Sequence, residues 1–187
     1  METITIEKMT YGIDSLGHLD GKVVFVPYGA PNEKAEVEVK DTKTDYLRAD
    51  ISKILEPSPH RQKSPCQHFP ECGGCHWLHL YPEAQRRQKE QYLNYLLKPL
   101  SPSSVYPIEP LPSAGYRNKM DLKVAFGADG ALKLGNYKFH SYDVVDIPGC
   151  VVQCPPNMKA YEALKSFLQN KLPQPAVANI KQISIRT

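Results

Sequence analysis

Several features that would narrow this chain's role at once are missing from it. No apolar run approaches the roughly 20 residues a membrane helix needs. The opening METITIEK carries no apolar leader, so the sequence reads as a cytoplasmic protein with no membrane partner. There is no G-x-G-x-x-G loop and no strand–helix alternation to hold one, which excludes reading a nucleotide-binding sheet from these residues. Net charge is only +3, too small to establish a polyanion partner by itself. The cysteine count, 5, is odd, and disulfides are uncommon in the cytosol, so a fully paired disulfide framework does not fit.

What is present is concentrated in Pro65–Trp77, PCQHFPECGGCHW. Cys66, Cys72 and Cys75 follow a C-x5-C-x2-C spacing there. The stretch is too rich in Gly and Pro for one regular helix or strand. Gly73 and Gly74 permit tight folding, and Pro65 and Pro70 restrict the entry. Three thiols can then converge on one point, which suits a metal or cluster that needs a fourth ligand. Cys150 and Cys154 lie far downstream, so such a site would clip remote parts of the chain together. On spacing alone, structural zinc and an iron–sulfur cluster stand equal. His68, His76 and His79 keep a Cys3His zinc site open.

Charge is distributed unevenly. Residues 1–56 carry 7 Lys and Arg against 11 Asp and Glu, whereas residues 57–123 carry 9 against 5. The basic bias around the cysteines suits RNA, with Arg61, Lys63, Arg86, Arg87, Arg117 and Lys119 as candidate phosphate contacts. The fold class expected is β-rich α+β. Residues 1–56 alternate apolar and polar positions (Ile4 and Ile6; Val23–Val26; Ala35, Val37 and Val39; Leu47, Ala49 and Ile51), with an Asp20-Gly21 hairpin signal. Antiparallel strands this short and close suggest a small OB-like barrel of about five strands. Glu56–Pro65 reads as a linker. Pro82 opens a helix through Leu97 with Tyr92, Leu93, Leu96 and Leu97 as its apolar stripe. Pro99–Pro112 reads as an extended connector. Strands are then expected at Leu122–Phe126, Leu132–Leu134 and Tyr142–Ile147, with a turn at Gly127–Gly130. A helix is expected over Asn157–Leu172, with Met158, Tyr161, Leu164, Phe167 and Leu168 on one side, and a strand over Val177–Ile185. That last pattern is barely complete at Thr187, which reads as a truncated domain.

With these segments in order, the sequence resembles the RNA (uracil-5-)-methyltransferases that carry a [4Fe–4S] cluster. The matching stretches are GKVVFVP…NEKAEVEV, LEPSPHR, the C-x5-CGGC loop, EAQRRQK, YRNKM at Tyr116–Met120 and VVDIPGC at Val144–Cys150. Two local departures are Asn32, where the family often has Gly, and His76, where it commonly has Gln. The resemblance implies a TRAM domain over 1–56 and an incomplete cluster-bearing central domain over 57–187. It implies Cys66, Cys72, Cys75 and Cys150 as the cluster ligands, and gives Cys154 none. It also implies structured RNA, ribosomal by preference, as the partner of a monomeric parent that uses S-adenosylmethionine. In that chemistry a cysteine adds to uracil C6, C5 takes the methyl group, and a base removes the C5 proton. None of these catalytic parts is assignable here, so no catalytic residue is named. The alternative is a stand-alone zinc- or cluster-stapled RNA-binding module without catalysis.

Overall fold

In the computed structural model, residues 1–101 and 112–187 are described. Most of the connector read at Pro99–Pro112 therefore lies outside the described residues. Its first part is helical, since Lys98–Leu100 form a 3-10 turn. The chain divides into two compact units, one of Met1–Ser64 with His76–Pro110 and one of Pro65–Cys75 with Leu111–Thr187.

The first unit holds six strands, β1 (Glu2–Thr5), β2 (Lys8–Met9), β3 (Asp14–Leu19), β4 (Lys22–Pro27), β5 (Lys34–Thr42) and β6 (Tyr46–Glu56), in the order β1-β5-β6-β4-β3-β2. Five strands were expected, but the first segment divides. β1 pairs with β5, and β2 pairs with β3. Only Ile6 and Glu7 separate β1 from β2, so one short stretch of chain borders both ends of the order and the sheet returns on itself. A Cβ on Gly17 would lie 2.4 Å from the Thr5 carbonyl oxygen, which shows how closely β3 passes that stretch. Apolar alternation puts Ile4, Ile6, Val24, Val26, Ala35, Val37, Leu47 and Ala49 into one core. The Asp20-Gly21 turn has both residues at positive φ, 50° and 79°, as a tight hairpin turn requires. Asn32 also sits at positive φ, 64°. Asn tolerates the left-handed region because its short amide bonds locally, so it can stand where a glycine would otherwise be needed. One pairing departs from the antiparallel expectation: β4 and β6 run parallel.

The segment read as a linker is built into this unit. Ser58 is buried and donates its hydroxyl to the Pro31 carbonyl at 2.5 Å. Glu33 is fully buried and accepts from Arg61 Nε and Nη2, each at 2.6 Å, and from the Ala30 N–H at 3.1 Å. Arg61 Nη2 also donates to the Tyr28 carbonyl at 2.7 Å. Removing one partner would strand a desolvated charge. Glu33→Ala is therefore expected to cost roughly 3–5 kcal/mol, read as a lower urea midpoint at unchanged slope. Arg61→Lys should also destabilise, because an ammonium cannot reproduce the two-pronged contact. Stability within about 0.5 kcal/mol of the unchanged chain after Glu33→Ala would mean the pair is incidental.

Helix α1 (Pro82–Leu97) begins at proline as expected. Its stripe is less buried than the pattern implied. Ala84 is the buried position, while Tyr92, Tyr95 and Leu96 are exposed.

The second unit is a four-stranded sheet with helices. Strands β7 (Lys119–Phe126), β8 (Leu132–Tyr137), β9 (Val144–Asp146) and β10 (Gln182–Arg186) lie in the order β10-β7-β8-β9, all antiparallel. The Gly127–Gly130 turn joins β7 to β8, with Gly130 at φ 75°. Helix α2 (Pro155–Asn170) starts two residues before the expected Asn157, and Phe167 is exposed rather than packed. The strand read over Val177–Ile185 is corrected. Its first part is a short helix, α3 (Gln174–Ala178), which buries Val177, and β10 begins only at Gln182. The Tyr142–Ile147 strand shortens to β9, leaving Tyr142 in a turn. Tyr161 donates its hydroxyl to Asp146 Oδ1 at 3.0 Å, and Lys165 pairs with the same carboxylate. Burial raises the Asp146 carboxyl, but these bonds and the Leu134 N–H outweigh it and hold it below the usual range. Asp146 thereby pins α2 to the strand that leads into Cys150.

Candidate functional site

Cys66, Cys72, Cys75 and Cys150 all belong to the second unit. Local chemistry brings them together. Gln67 Nε2 and His68 Nε2 each hydrogen-bond the Pro148 carbonyl, at 3.2 and 2.8 Å. Those contacts tie the cysteine loop to the Pro148-Gly149 turn, which uses φ 75° at Gly149 to present Cys150. On its other side the loop meets the β8–β9 connection. Gly73 N–H donates to the Tyr137 carbonyl at 3.0 Å, and Cys72 forms an isolated bridge with Lys138. The two glycines are needed for approach rather than for turning, since neither has positive φ. A Cβ on Gly73 would lie 2.8 Å from the Tyr137 oxygen, and one on Gly74 2.8 Å from Asn136 Nδ2.

Two of the thiols, Cys75 and Cys150, feel the other cysteines. Burial pushes the Cys75 thiol up to about 11, and Cys150, Cys72 and Cys66 add to the rise, while the Arg117 charge opposes it. Cys150 is raised by burial as well, with Cys66 and Cys72 contributing, although the Val152 and Gln153 N–H groups donate toward its sulfur. Asn136 Nδ2 donates to Cys72 Sγ at 3.6 Å. The Val152 and Gln153 donors thus point at a sulfur, that of Cys150, whose anionic form is otherwise opposed by burial and by neighbouring thiols. A bound cation would resolve that conflict, and an all-sulfur donor set suits an iron–sulfur cluster or zinc. Among the described residues, no group of three or more His, Cys, Asp or Glu forms a ready-made ion site. By donor chemistry alone, four thiols suit an iron–sulfur cluster or zinc.

Cys154 stands apart. Its sulfur lies 3.4 Å from Thr187 Oγ1, and that contact is the main reason its thiol is held below the usual value. Of the histidines open to a Cys3His reading, His79 belongs to the first unit, is buried, and donates Nε2–H to the Gly29 carbonyl at 3.0 Å. Burial drives its ring down to about 4. His68 is bonded to Pro148 as described, and His76 belongs to the first unit.

The six basic candidates divide by what they already hold. Arg61 is engaged by Glu33 and Tyr28. Arg86 pairs with Glu90 and Arg87 with Glu83, each at 2.7 Å along α1, and Lys119 pairs with Asp121 at 3.0 Å. The Arg87–Glu83 and Lys119–Asp121 pairs are exposed and weak enough to exchange for phosphate, whereas the Arg86–Glu90 pair is half-buried. Lys63 and Arg117 are exposed and make no ion pair with a carboxylate among the described residues. A further basic side chain, Arg48, pairs with Asp14 at 3.4 Å. Arg48 lies 5.8 Å from the ring centroids of both Phe25 and Tyr46, on a sequence stretch that is acidic overall.

Comparison with known proteins yields concordant findings. Residues 2–52 match the profile of the TRAM domain, so the chain opens with that domain. An uncharacterized RNA methyltransferase of Synechocystis sp. is 34% identical over 154 residues, which is 80% of this chain and 33% of the relative. The 23S rRNA (uracil(1939)-C(5))-methyltransferase RlmD of Shewanella denitrificans is 34% identical over 165 residues, or 80% of this chain and 35% of the relative. The crystal structure of the tRNA (uracil-54, C5)-methyltransferase of Pyrococcus abyssi, in complex with S-adenosyl-L-homocysteine, matches with a TM-score of 0.63 at 25% identity. It covers 98% of this chain and 42% of that one. The chain thus spans about a third of the length of the curated relatives described. No helix among the described residues is long and apolar enough to cross a membrane.

Proposed function

We propose that this chain is the RNA-gripping, [4Fe–4S]-bearing N-terminal portion of an S-adenosylmethionine-dependent RNA (uracil-C5)-methyltransferase acting on ribosomal RNA. The observation that carries the reading is the gathering of Cys66, Cys72, Cys75 and Cys150 into one compact unit, in a chain that opens with a TRAM domain. Residues 1–56 are the OB-like RNA-binding module, a reading supported by a sheet that returns on itself. The cluster-bearing α+β domain is drawn from residues 57–187, its four cysteines lying in the compact unit of Pro65–Cys75 with Leu111–Thr187. The cluster, when bound, neutralises the thiolates and cross-links the Pro65–Cys75 loop to the turn after β9. The chain's own residues prepare that site: Asn136 and the Val152 and Gln153 amides orient sulfurs, and Gln67 and His68 hold the Cys150 turn in register. The protein is cytoplasmic and works as a monomer in its parent enzyme.

RNA contact is the testable core of this reading. The chain should bind a folded ribosomal RNA fragment with strong salt dependence, because phosphate contacts release counterions. Each basic side chain that touches phosphate contributes about one to the slope of log affinity against log salt. Lys63→Glu and Arg117→Glu should weaken binding most. Reversing Arg86 and Arg87 together with Lys119 should add a smaller loss. If reversal of all five leaves affinity and slope unchanged, they form a solvated face and the RNA reading loses its support.

A further inference from the structure

The cysteine loop is bonded to a turn whose composition the fold does not require. Tyr137-Lys138-Phe139-His140-Ser141-Tyr142 joins β8 to β9 and places four rings in six positions. Turns are ordinarily shaped by Gly, Pro, Asn, Asp and Ser. Here the backbone closes itself through Lys138 N–H to the Asp143 carbonyl at 2.8 Å, Ser141 N–H to the Lys138 carbonyl at 3.1 Å, and Asp143 N–H to Ser141 Oγ at 2.9 Å. His140 occupies the left-handed region at φ 52°. None of these bonds uses a ring. Nor do the tyrosines fill the core, since Tyr142 is 89% exposed and Tyr137 38%. Tyr137 and Tyr142 meet edge to face at 5.7 Å, and Phe139 and His140 at 4.0 Å. With Gly73 they line an open concavity of about 420 Å³, within the size range of small-ligand clefts.

Two positive charges lie beside the rings, together with the carboxylates of Asp143 and Glu71. Lys138 is part of the concavity, and Lys123 Nζ lies 5.3 Å from the Tyr137 centroid. Lys138 pairs with Glu71 at 3.9 Å, and both side chains are about half exposed or more. So loose an exposed pair is readily exchanged for another anion. Exposed rings interleaved with lysines match a nucleotide, whose base offers a flat face and whose phosphate offers charge.

We propose that the Tyr137–Tyr142 turn is a stacking platform for one unpaired RNA base, with Lys138 on the adjoining phosphate. The inference rests on the RNA-binding reading above and adds the place and form of one contact. A duplex hides its base faces, so the platform selects single-stranded over paired RNA. The Gly73–Tyr137 bond and the Cys72–Lys138 bridge make the cysteine loop the support on which the platform stands.

The test uses the whole 187-residue chain and a short single-stranded RNA bearing one 2-aminopurine, whose fluorescence is quenched on stacking. Saturating protein should quench it. Tyr142→Ala and Tyr137→Ala should each weaken binding about 5- to 150-fold and relieve the quench. Tyr142→Trp should retain both, and Lys138→Gln should lower the salt slope by about one. The same sequence as a duplex should not distinguish Tyr142→Ala from the unchanged chain. Because Tyr142 is nearly all exposed, its substitution should leave the melting temperature in place. Equal affinity and quenching in Tyr142→Ala overturns the platform. Binding of folded ribosomal RNA without binding of the single strand overturns the platform and leaves the RNA-binding reading standing. Binding of neither overturns both.

Discussion

Replacing any one of Cys66, Cys72, Cys75 or Cys150 by serine is expected to strip the anaerobically purified chain of iron and acid-labile sulfide, and of its brown colour, whereas Cys154→Ser keeps them. The distinction follows from geometry and charge. Cys75 is raised to about 11 by burial and then by the other three. Cys154 contributes to neither Cys75 nor Cys150 and has its own partner in Thr187. A serine hydroxyl is a poor substitute for a soft thiolate toward iron, and losing one of four ligands opens the site. Loss should also loosen the loop, since metal binding energy at such sites is folding energy. Stoichiometric zinc without sulfide, in protein produced with ample iron, would sink the cluster reading and leave the zinc-stapled alternative.

The second large effect concerns chemistry. The 187-residue chain alone is expected to put no labelled methyl group into 5-methyluridine when incubated with S-adenosylmethionine and unmodified ribosomal RNA. Fusion to the C-terminal remainder of a full-length relative is expected to restore the transfer. Methylation at uracil C5 requires a nucleophile at C6, a base for the C5 proton and a pocket for the methyl donor. In the proposed reading four of the five thiols are held by iron and cannot also attack carbon. The fifth, Cys154, is half-buried and in contact with a threonine hydroxyl. The sheets of the described residues are antiparallel apart from the β4–β6 pair, and none presents the glycine-rich phosphate loop of a nucleotide-binding crossover. Tritium in 5-methyluridine from the unfused chain would place an active site within these residues and overturn the assignment of catalysis to the remainder.

What was legible from the residues came from short-range periodicity and turn chemistry. The alternation around Val24, Val26, Ala35 and Val37, the Asp20-Gly21 hairpin and the Gly127–Gly130 turn all stand where the pattern put them. Errors arose where a local pattern was silent about its neighbours. Val177 fits a strand by composition, yet it is the buried residue of a five-residue helix. Phe167 fits the apolar side of α2, yet it faces solvent. Tyr142 falls at the start of the strand expected over Tyr142–Ile147, yet it stands in a turn.

The sequence by itself determined the strand-rich character of the chain and which thiols and basic side chains it has to offer, because those depend on steric preference and side-chain chemistry carried by each residue and its near neighbours. The tertiary structure alone decided that Arg61 is given to buried Glu33, 28 positions away, and that β4 lies parallel to β6. It also decided that Gly73 must be small because the Tyr137 carbonyl passes against it. It placed Cys150 in electrostatic reach of Cys75 and brought the Tyr137–Tyr142 turn onto the cysteine loop. Such pairings join segments far apart in the chain, and which distant segments meet is set by the burial of all the apolar faces together, a condition that no local window of residues contains.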